Sequence, residues 1–235
     1  MAAAAIGPPT FPASGIWFAV AGTLGAVTWV RLLEAFWSVE AIAGARVFTA
    51  VLYLGLFAIM ALATLAAVRV AGSGNLRADL GLTFTRADIG WSIIALIGGQ
   101  IARVVVASAL VSVGDSDRYT GAVKGFQADK GLLAVFVLAL LVGAPLFEEL
   151  LFRGLLLRSL ASRFSLRIAL VGQALIFGFY HFNAEFGWFN LQLCLGNAAL
   201  GLVFGLVATR QRSLVPGMIA HGLANAMALA VSFTI

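Results

Sequence analysis

The chain has 235 residues, of which 62% are hydrophobic and only 11% are charged, and its mean hydropathy is +1.03. A soluble domain carries roughly 25% charged residues, so this composition excludes a soluble globular protein and indicates a protein with lipid as its solvent. The net charge of +5 alone would suggest an acidic partner. The basic residues lie mainly in loops, however, so they indicate membrane topology, and no nucleic-acid partner is expected.

Seven apolar runs follow one another along the chain. They cover residues 15–37, 47–68, 89–113, 131–157, 168–180, 191–209 and 214–233. An open sheet cannot satisfy its edge hydrogen bonds in lipid, and these runs are too long for barrel strands. The expected fold class is therefore all-α, a polytopic integral membrane bundle of about seven transmembrane helices. The fifth run is short for a span of about 20 residues, so we expect it to dip or tilt.

The distribution of Lys and Arg between the loops predicts the orientation of the bundle. Loops on one side contain eight basic residues: Arg69, Arg77, Arg86, Arg158, Arg163, Arg167, Arg210 and Arg212. Loops on the other side contain four: Arg46, Arg118, Lys124 and Lys130. Because basic loops stay in the cytoplasm, we expect a multi-pass protein of a bacterial plasma membrane with a cytoplasmic N-terminus. The lipid bilayer, including its anionic headgroups, is then a partner of the basic loops.

Six charged residues lie inside the apolar runs, where an unpaired charge is costly and marks a functional candidate. Three of them belong to the N-terminal runs: Arg31, Glu34 and Arg103. Arg31 and Glu34 are three residues apart and can form a structural ion pair. Arg103 has no such partner on its own helix. It can either neutralise an acid on a neighbouring helix or bind the carboxylate of a substrate.

The fourth run contains the other three charged residues, Glu148, Glu149 and Arg153. Glu149 and Arg153 are four residues apart, so they share a helix face and can pair. Glu148 points about 100° away from Glu149 and has no cation on its own helix, which suits a general base. Pro145 lacks an N–H donor and predicts a helix start or a kink just before the glutamates. A structural clamp between helices would explain Glu149 and Arg153 but not Glu148.

The two histidines of the chain also lie in or at the end of apolar runs. His181 ends the fifth run, and His221 shares a face of the last run with Asn225 at i,i+4 spacing. Together with the two glutamates, these side chains can meet at one point in the bundle. Such a set either binds a divalent cation through N and O ligands or orients a water molecule for attack on a carbonyl. The HExxH pattern of the common zinc peptidases is absent from the sequence.

Three motifs of this sequence share their residues, order and spacing with one known family: Glu148, Glu149 and Arg153; Phe177 and His181; His221 and Asn225. The chain resembles the CPBP family, the CAAX-prenyl-protease and bacteriocin-processing intramembrane peptidases, also called the ABI family. The resemblance covers residues 131–235, and it includes the Ala-Pro before the glutamates and the Phe-Arg-Gly after them. We therefore divide the chain into N-terminal transmembrane helices and loops, 1–130, and a CPBP-like catalytic core, 131–235.

The resemblance implies a role for each matching residue. Glu148 would activate a water molecule with the assistance of His181. His221 and Asn225 would stabilise the oxyanion or hold a metal. Glu149 completes the catalytic set and would brace the site. At about 1.5 Å per helical residue, Glu148 and His221 lie at similar depth and His181 one or two turns deeper, and a broken or tilted helix would be needed to reconcile these depths.

The family is described both as metalloproteases and as metal-free glutamate proteases, and the sequence leaves both open. In the metal-dependent case one divalent, zinc-like ion would be held by Glu148, His181 and His221, and no organic cofactor is expected. Arg153 and Phe177 would support the site. The substrate would be a membrane-anchored peptide or protein, of the prenylated CAAX type in the eukaryotic members.

Two other classes of function compete with the intramembrane endopeptidase. A catalytically silent family member would act as an immunity or scaffold protein that binds a membrane peptide or partner in the same cavity. A transporter would use the buried acids and histidines as a proton relay. The transporter alternative predicts inverted repeats with paired broken helices, and no such repeats are visible in the sequence.

Overall fold

The protein is described by a computed structural model, which covers residues 10–37, 42–110, 129–183 and 189–232. These residues form eight helices and no strand. The helices are α1 (Gly15–Phe36), α2 (Ile42–Val70), α3 (Leu76–Leu80), α4 (Ala87–Ala109), α5 (Lys130–Ala161), α6 (Leu166–Tyr180), α7 (Phe189–Gln211) and α8 (Val215–Ser232). The prediction of an all-α fold is confirmed.

Five helices are long and apolar enough to cross a membrane: α1, α2, α4, α5 and α7. The remaining apolar helices, α6 and α8, are shorter. Each of the seven predicted runs therefore corresponds to a helix, whereas the count of seven spanning helices is not confirmed. The protein is a multi-pass membrane protein.

Local sequence signals set several helix ends. Asp129 caps α5 by accepting a hydrogen bond from the Leu132 N–H at 2.8 Å, and Ser165 caps α6 by accepting from the Ile168 N–H at 3.5 Å. Gly81 ends α3 in the left-handed conformation, with φ of 75°, which glycine adopts without steric cost. These caps explain why the fourth and fifth runs become helices that begin near the predicted residues.

Helix α5 lies at the centre of the bundle. Its second half contacts α1, α2, α3, α6 and α7, and Leu151, Phe152 and Leu155 are fully buried there. Two π-helical stretches interrupt α5, Ala139–Gly143 and Glu149–Leu157. π-helical turns contain more residues than α-helical turns and often occur at functional sites. Pro145 therefore lies inside α5, in the short α-helical segment Ala144–Glu148 between two π-helical stretches, and a helix start just before the glutamates is not found.

The loops predicted to lie on the basic side meet at one end of the bundle. Arg158 donates to the Asp79 carbonyl at 3.1 Å and to the Arg212 carbonyl at 3.4 Å, and the Leu214 N–H donates to the Gly81 carbonyl at 3.0 Å. The assignment of this end to the cytoplasm stays a prediction. Two basic residues of the opposite side, Arg118 and Lys124, lie outside the described residues.

At the start of α5, Arg46 from α2 forms an ion pair and two hydrogen bonds with Asp129. The predicted pair of Arg31 and Glu34 is also formed, at 2.8 Å on α1. Helix α4, from the predicted N-terminal part, packs against α7 and α8. The helices of the predicted N-terminal part thus form walls around the C-terminal helices.

Candidate active site

A cavity of about 390 Å³ lies inside the bundle, and every long helix contributes to its wall. Most of the lining is apolar. The site residues from the sequence analysis that line it are Arg103, Glu148, Phe177, His181, His221 and Asn225. This volume is within the usual range for ligand pockets, which are largely apolar with a few convergent polar groups. The cavity is therefore the candidate active site.

Beneath the cavity lies a buried ion pair. Arg153 Nη1 is 2.9 Å from Glu149 Oε1, and neither side chain is exposed. The nitrogens of the guanidinium lack hydrogen-bond geometry in the described residues, so the contact with Glu149 is ionic. The guanidinium carbon lies 4.0 Å from the centroid of the Phe177 ring, a cation–π contact that helps to hold a desolvated cation. The predicted Glu149–Arg153 pair is confirmed, and Phe177 packs directly on it.

His221 joins the two glutamates. Its Nδ1 lies 3.2 Å from Glu149 Oε1, and its Nε2 lies 3.8 Å from Glu148 Oε2. Since an ionised carboxylate only accepts hydrogen bonds, the shorter contact requires a proton on Nδ1. A neutral His221 then directs the lone pair of Nε2 towards Glu148. Glu149 therefore sets the tautomer and the orientation of the imidazole.

His181 has the same arrangement on the opposite wall. It is the C-terminal cap of α6, and its Nδ1 lies 2.9 Å from the Phe177 carbonyl oxygen. A carbonyl also only accepts, so Nδ1 carries the proton here too. Nε2 lies 3.9 Å from Glu148 Oε2. The two side chains therefore meet, so the depth difference expected from the helix ends does not keep them apart.

Three hydrogen-bond acceptors consequently face one another around Glu148. Its Oε2 is buried, and no described protein group donates to it. The contacts with Nε2 of His181 and His221 are too long for direct hydrogen bonds. Polar atoms separated by this distance are commonly bridged by water. A water molecule has two O–H donors, so it can bridge these acceptors, whereas no described side chain donates to Glu148 Oε2.

The side chain of Asn225 is oriented by a backbone carbonyl that Pro145 leaves without a donor. In the first π-helical stretch the Ala144 N–H donates to the carbonyl five residues earlier. The next such bond would run from residue 145 to the Leu140 carbonyl, but proline has no N–H. Asn225 Nδ2 donates to that carbonyl instead, at 2.8 Å. One amide proton of Asn225 is thereby used for positioning, and the second stays available to a ligand.

The predicted metal ligands are Glu148, His181 and His221. In the described ranges, no group of three or more His, Cys, Asp or Glu side chains forms a cluster that could hold a metal ion. Glu148, His181 and His221 nevertheless face one space. Metal binding by these residues stays a prediction.

Two residues beside the site escaped the sequence analysis. Tyr180 lines the cavity, and its ring centroid lies 5.1 Å from that of His181. Gly217 gives Glu149 its space, because a Cβ at this position would lie 2.8 Å from Glu149 Oε2. The i,i+4 spacing of Gly217 and His221 was a usable signal, since it puts both residues on one face of α8.

Residues 130–227 match a family model described as type II CAAX prenyl endopeptidase, Rce1-like. The match begins at the start of α5 and contains all three motifs that converge on the cavity. Residues 130–227 belong to the CPBP family of membrane proteases. The predicted family is confirmed, and peptidase activity is the activity expected of this CPBP segment. No curated protein and no solved structure matches the chain.

Proposed function

We propose that this CPBP protein is an intramembrane endopeptidase that hydrolyses a peptide bond of a membrane-associated substrate. The observation that carries the proposal is the set of three acceptors around Glu148 Oε2. A water molecule held there is close to a carboxylate that can take its proton. General-base catalysis of this kind contributes about 10²- to 10⁴-fold to a rate.

The proposed reaction begins when Glu148 takes a proton from water and the oxygen attacks the scissile carbonyl. His181, whose Nδ1–H is held by the Phe177 carbonyl, orients the water through Nε2. Glu148 then gives the proton to the leaving amine as the C–N bond breaks. No organic cofactor enters this exchange, because the bonds formed and broken belong only to the water and the peptide.

The charge that develops on the carbonyl oxygen needs hydrogen-bond donors. Asn225 has one N–H left after its bond to Leu140, and such preorganised donors are worth about 10²- to 10³-fold in kcat. His221, whose Nδ1–H is held by Glu149, orients the attacking water through the lone pair of Nε2. The buried Glu149–Arg153 pair keeps the side chains of His221 and Asn225 in position. We infer these roles from the contacts of the four side chains.

The substrate we propose is a membrane-anchored peptide or protein, including a prenylated CAAX-type chain end. A mixed library of prenylated and unprenylated peptides, incubated with the purified protein in lipid and analysed by mass spectrometry, tests this. The matched variants are Glu148→Gln, which removes the base, and Asp129→Asn, the same chemical change outside the cavity. We expect cleavage by the wild type and by Asp129→Asn but not by Glu148→Gln.

Two results would contradict the proposal. If Glu148→Gln cleaves as fast as the wild type, the base is another group. If no protein cleaves any peptide while all bind them and remain folded, the function is binding, as in the immunity or scaffold alternative. Zinc content by mass spectrometry, together with activity after dialysis against a chelator, tests the metal prediction. A one-to-one zinc content that is lost in His181→Ala would support a metal site.

A further inference from the structure

Arg103 lies on α4, outside the segment that matches the family, yet it lines the same cavity as Glu148 and His181. Its side chain therefore belongs to the wall that encloses the catalytic groups. The aliphatic stem of Arg103 packs against α7. A Cβ at Gly196 would lie 3.3 Å from Arg103 Cγ, and the glycine therefore leaves room for the arginine stem.

Among the described residues, Arg103 has no counter-charge, unlike the other two arginines near the cavity. The other cavity arginine, Arg31, forms an ion pair with Glu34 at 2.8 Å and donates to the Phe182 carbonyl at 3.3 Å. Arg153 is paired with Glu149. Within the described part of the chain, Arg103 forms no ion pair and no hydrogen bond. An arginine at membrane depth without a counter-charge is costly, and such residues mark substrate pathways.

The geometry points to Arg103 as the residue that binds the free C-terminal carboxylate of the substrate peptide. This inference rests on the proposed peptidase function. A guanidinium presents a planar fork of N–H donors that matches a carboxylate with two parallel hydrogen bonds. Because the cavity is only about 390 Å³, a chain end fits it better than a chain that passes through. Arg103 therefore restricts cleavage to peptide bonds a few residues from the C-terminus.

The depth of Arg103 argues against a lipid headgroup as its ligand. The residue lies six positions before the end of α4, which corresponds to about 9 Å along the helix axis. A headgroup phosphate stays at the membrane surface, whereas a peptide end can enter the cavity. An Asp or Glu side chain of the substrate offers the same carboxylate chemistry, so the experiment must separate it from a chain end.

The test uses one peptide cleaved by the wild type in three forms: the free acid, the C-terminal amide, and the amide with an Asp in one of the last three positions. The variants are Arg103→Gln, Arg103→Lys and, as a charge control, Arg167→Gln, an exposed arginine at the start of α6. We expect the wild type and Arg167→Gln to prefer the free acid by about 10- to 100-fold in kcat/KM, the usual size of a charge-assisted contact. Arg103→Gln should lose this preference through a higher KM for the acid, and Arg103→Lys should keep part of it.

Equal cleavage of acid and amide by the wild type, or an unchanged preference in Arg103→Gln, would overturn the inference while leaving the peptidase function intact. If the amide with the internal Asp is cleaved as well as the free acid, Arg103 binds an acidic side chain of the substrate and not its C-terminal carboxylate. Binding to Glu148→Gln, which should not turn over, is measured in parallel by calorimetry. Tighter binding of the acid than of the amide, lost in the Glu148→Gln/Arg103→Gln double variant, supports the inference even if no peptide is cleaved. Equal binding of both peptides overturns it.

Discussion

Two polar clusters lie at different places in the bundle, and they differ in how well the hydrogen bonds of their buried groups are satisfied. The loop-end cluster consists of Asp79, Asp88, Arg158, Arg212 and Ser213. Arg158 donates to the carbonyls of Asp79 and Arg212. Asp88 accepts from the Ser213 hydroxyl at 3.4 Å and from a backbone N–H at 2.7 Å. These groups connect α3, α4 and α5 with the segment between α7 and α8, and the hydrogen bonds account for the burial of Asp88, Arg158 and Ser213.

The site cluster consists of Glu148, Glu149, Arg153, His181 and His221. Here Glu148 Oε2, Glu149 Oε2 and the Arg153 nitrogens lack hydrogen bonds with the described residues. Leaving buried polar atoms unsatisfied is costly, so such atoms need an explanation beyond stability. Burial of charge alone therefore does not mark a site in this bundle. Incomplete satisfaction of the buried charge distinguishes the site cluster from the loop-end cluster.

The largest expected effect separates catalysis from stability within the site cluster. Glu148→Gln should lower kcat by about 10²- to 10⁴-fold, because the base is removed. Its thermal unfolding should stay at or above the wild-type temperature, since the substitution removes a buried charge that lacks a hydrogen bond. Steady-state kinetics and calorimetric unfolding in the same detergent measure both. A large loss of stability would mean that Glu148 is structural, like the loop-end cluster.

Breaking the buried pair should affect the fold next most strongly. Arg153→Met leaves Glu149 as an uncompensated buried charge, which costs about 3–5 kcal/mol of folding free energy. The double variant Glu149→Gln/Arg153→Met removes both charges and should recover part of this loss. Denaturant unfolding of the two variants provides the measurement. A double variant that is no more stable than Arg153→Met would show that the pair is not the cause of the loss.

In the loop-end cluster the same kind of substitution should reduce stability without affecting chemistry. Arg158→Met removes two charge-assisted hydrogen bonds to carbonyls, and we expect a loss of about 1–3 kcal/mol. The kcat per folded molecule should equal that of the wild type. Active-site titration combined with unfolding curves checks this. A fall in kcat at unchanged stability would contradict the division between the two clusters.

The smallest effect is expected at the start of α5, outside both clusters. The hydrogen bonds from Arg46 and from the Leu132 N–H lower the pKa of Asp129 to about 2. Its ordinary value is about 4, so the ion pair stabilises the fold fully above pH 4, and this contribution is lost as the pH falls towards 2. The unfolding temperature of Asp129→Asn should therefore decline less between pH 4 and 2 than that of the wild type. Parallel curves would show that Asp129 contributes nothing to the pH dependence.

The sequence predicted the helical membrane fold from its apolar runs, since no other backbone structure with runs of this length satisfies its hydrogen bonds in lipid. It also predicted contacts within one helix. Arg31 pairs with Glu34, and Glu149 pairs with Arg153, because helical spacing alone determines which side chains share a face. These predictions required only the local geometry of the helix, and they are confirmed.

The relations between helices were decided by the tertiary structure. The position of Asn225 depends on a carbonyl left without a donor by Pro145, which periodicity does not reveal. The convergence of two imidazole Nε2 atoms on Glu148 depends on the packing of α5, α6 and α8. Residue type and spacing determine which groups a helix presents. Only packing, through side-chain volume and close approach at residues such as Gly217, determines which groups on different helices meet.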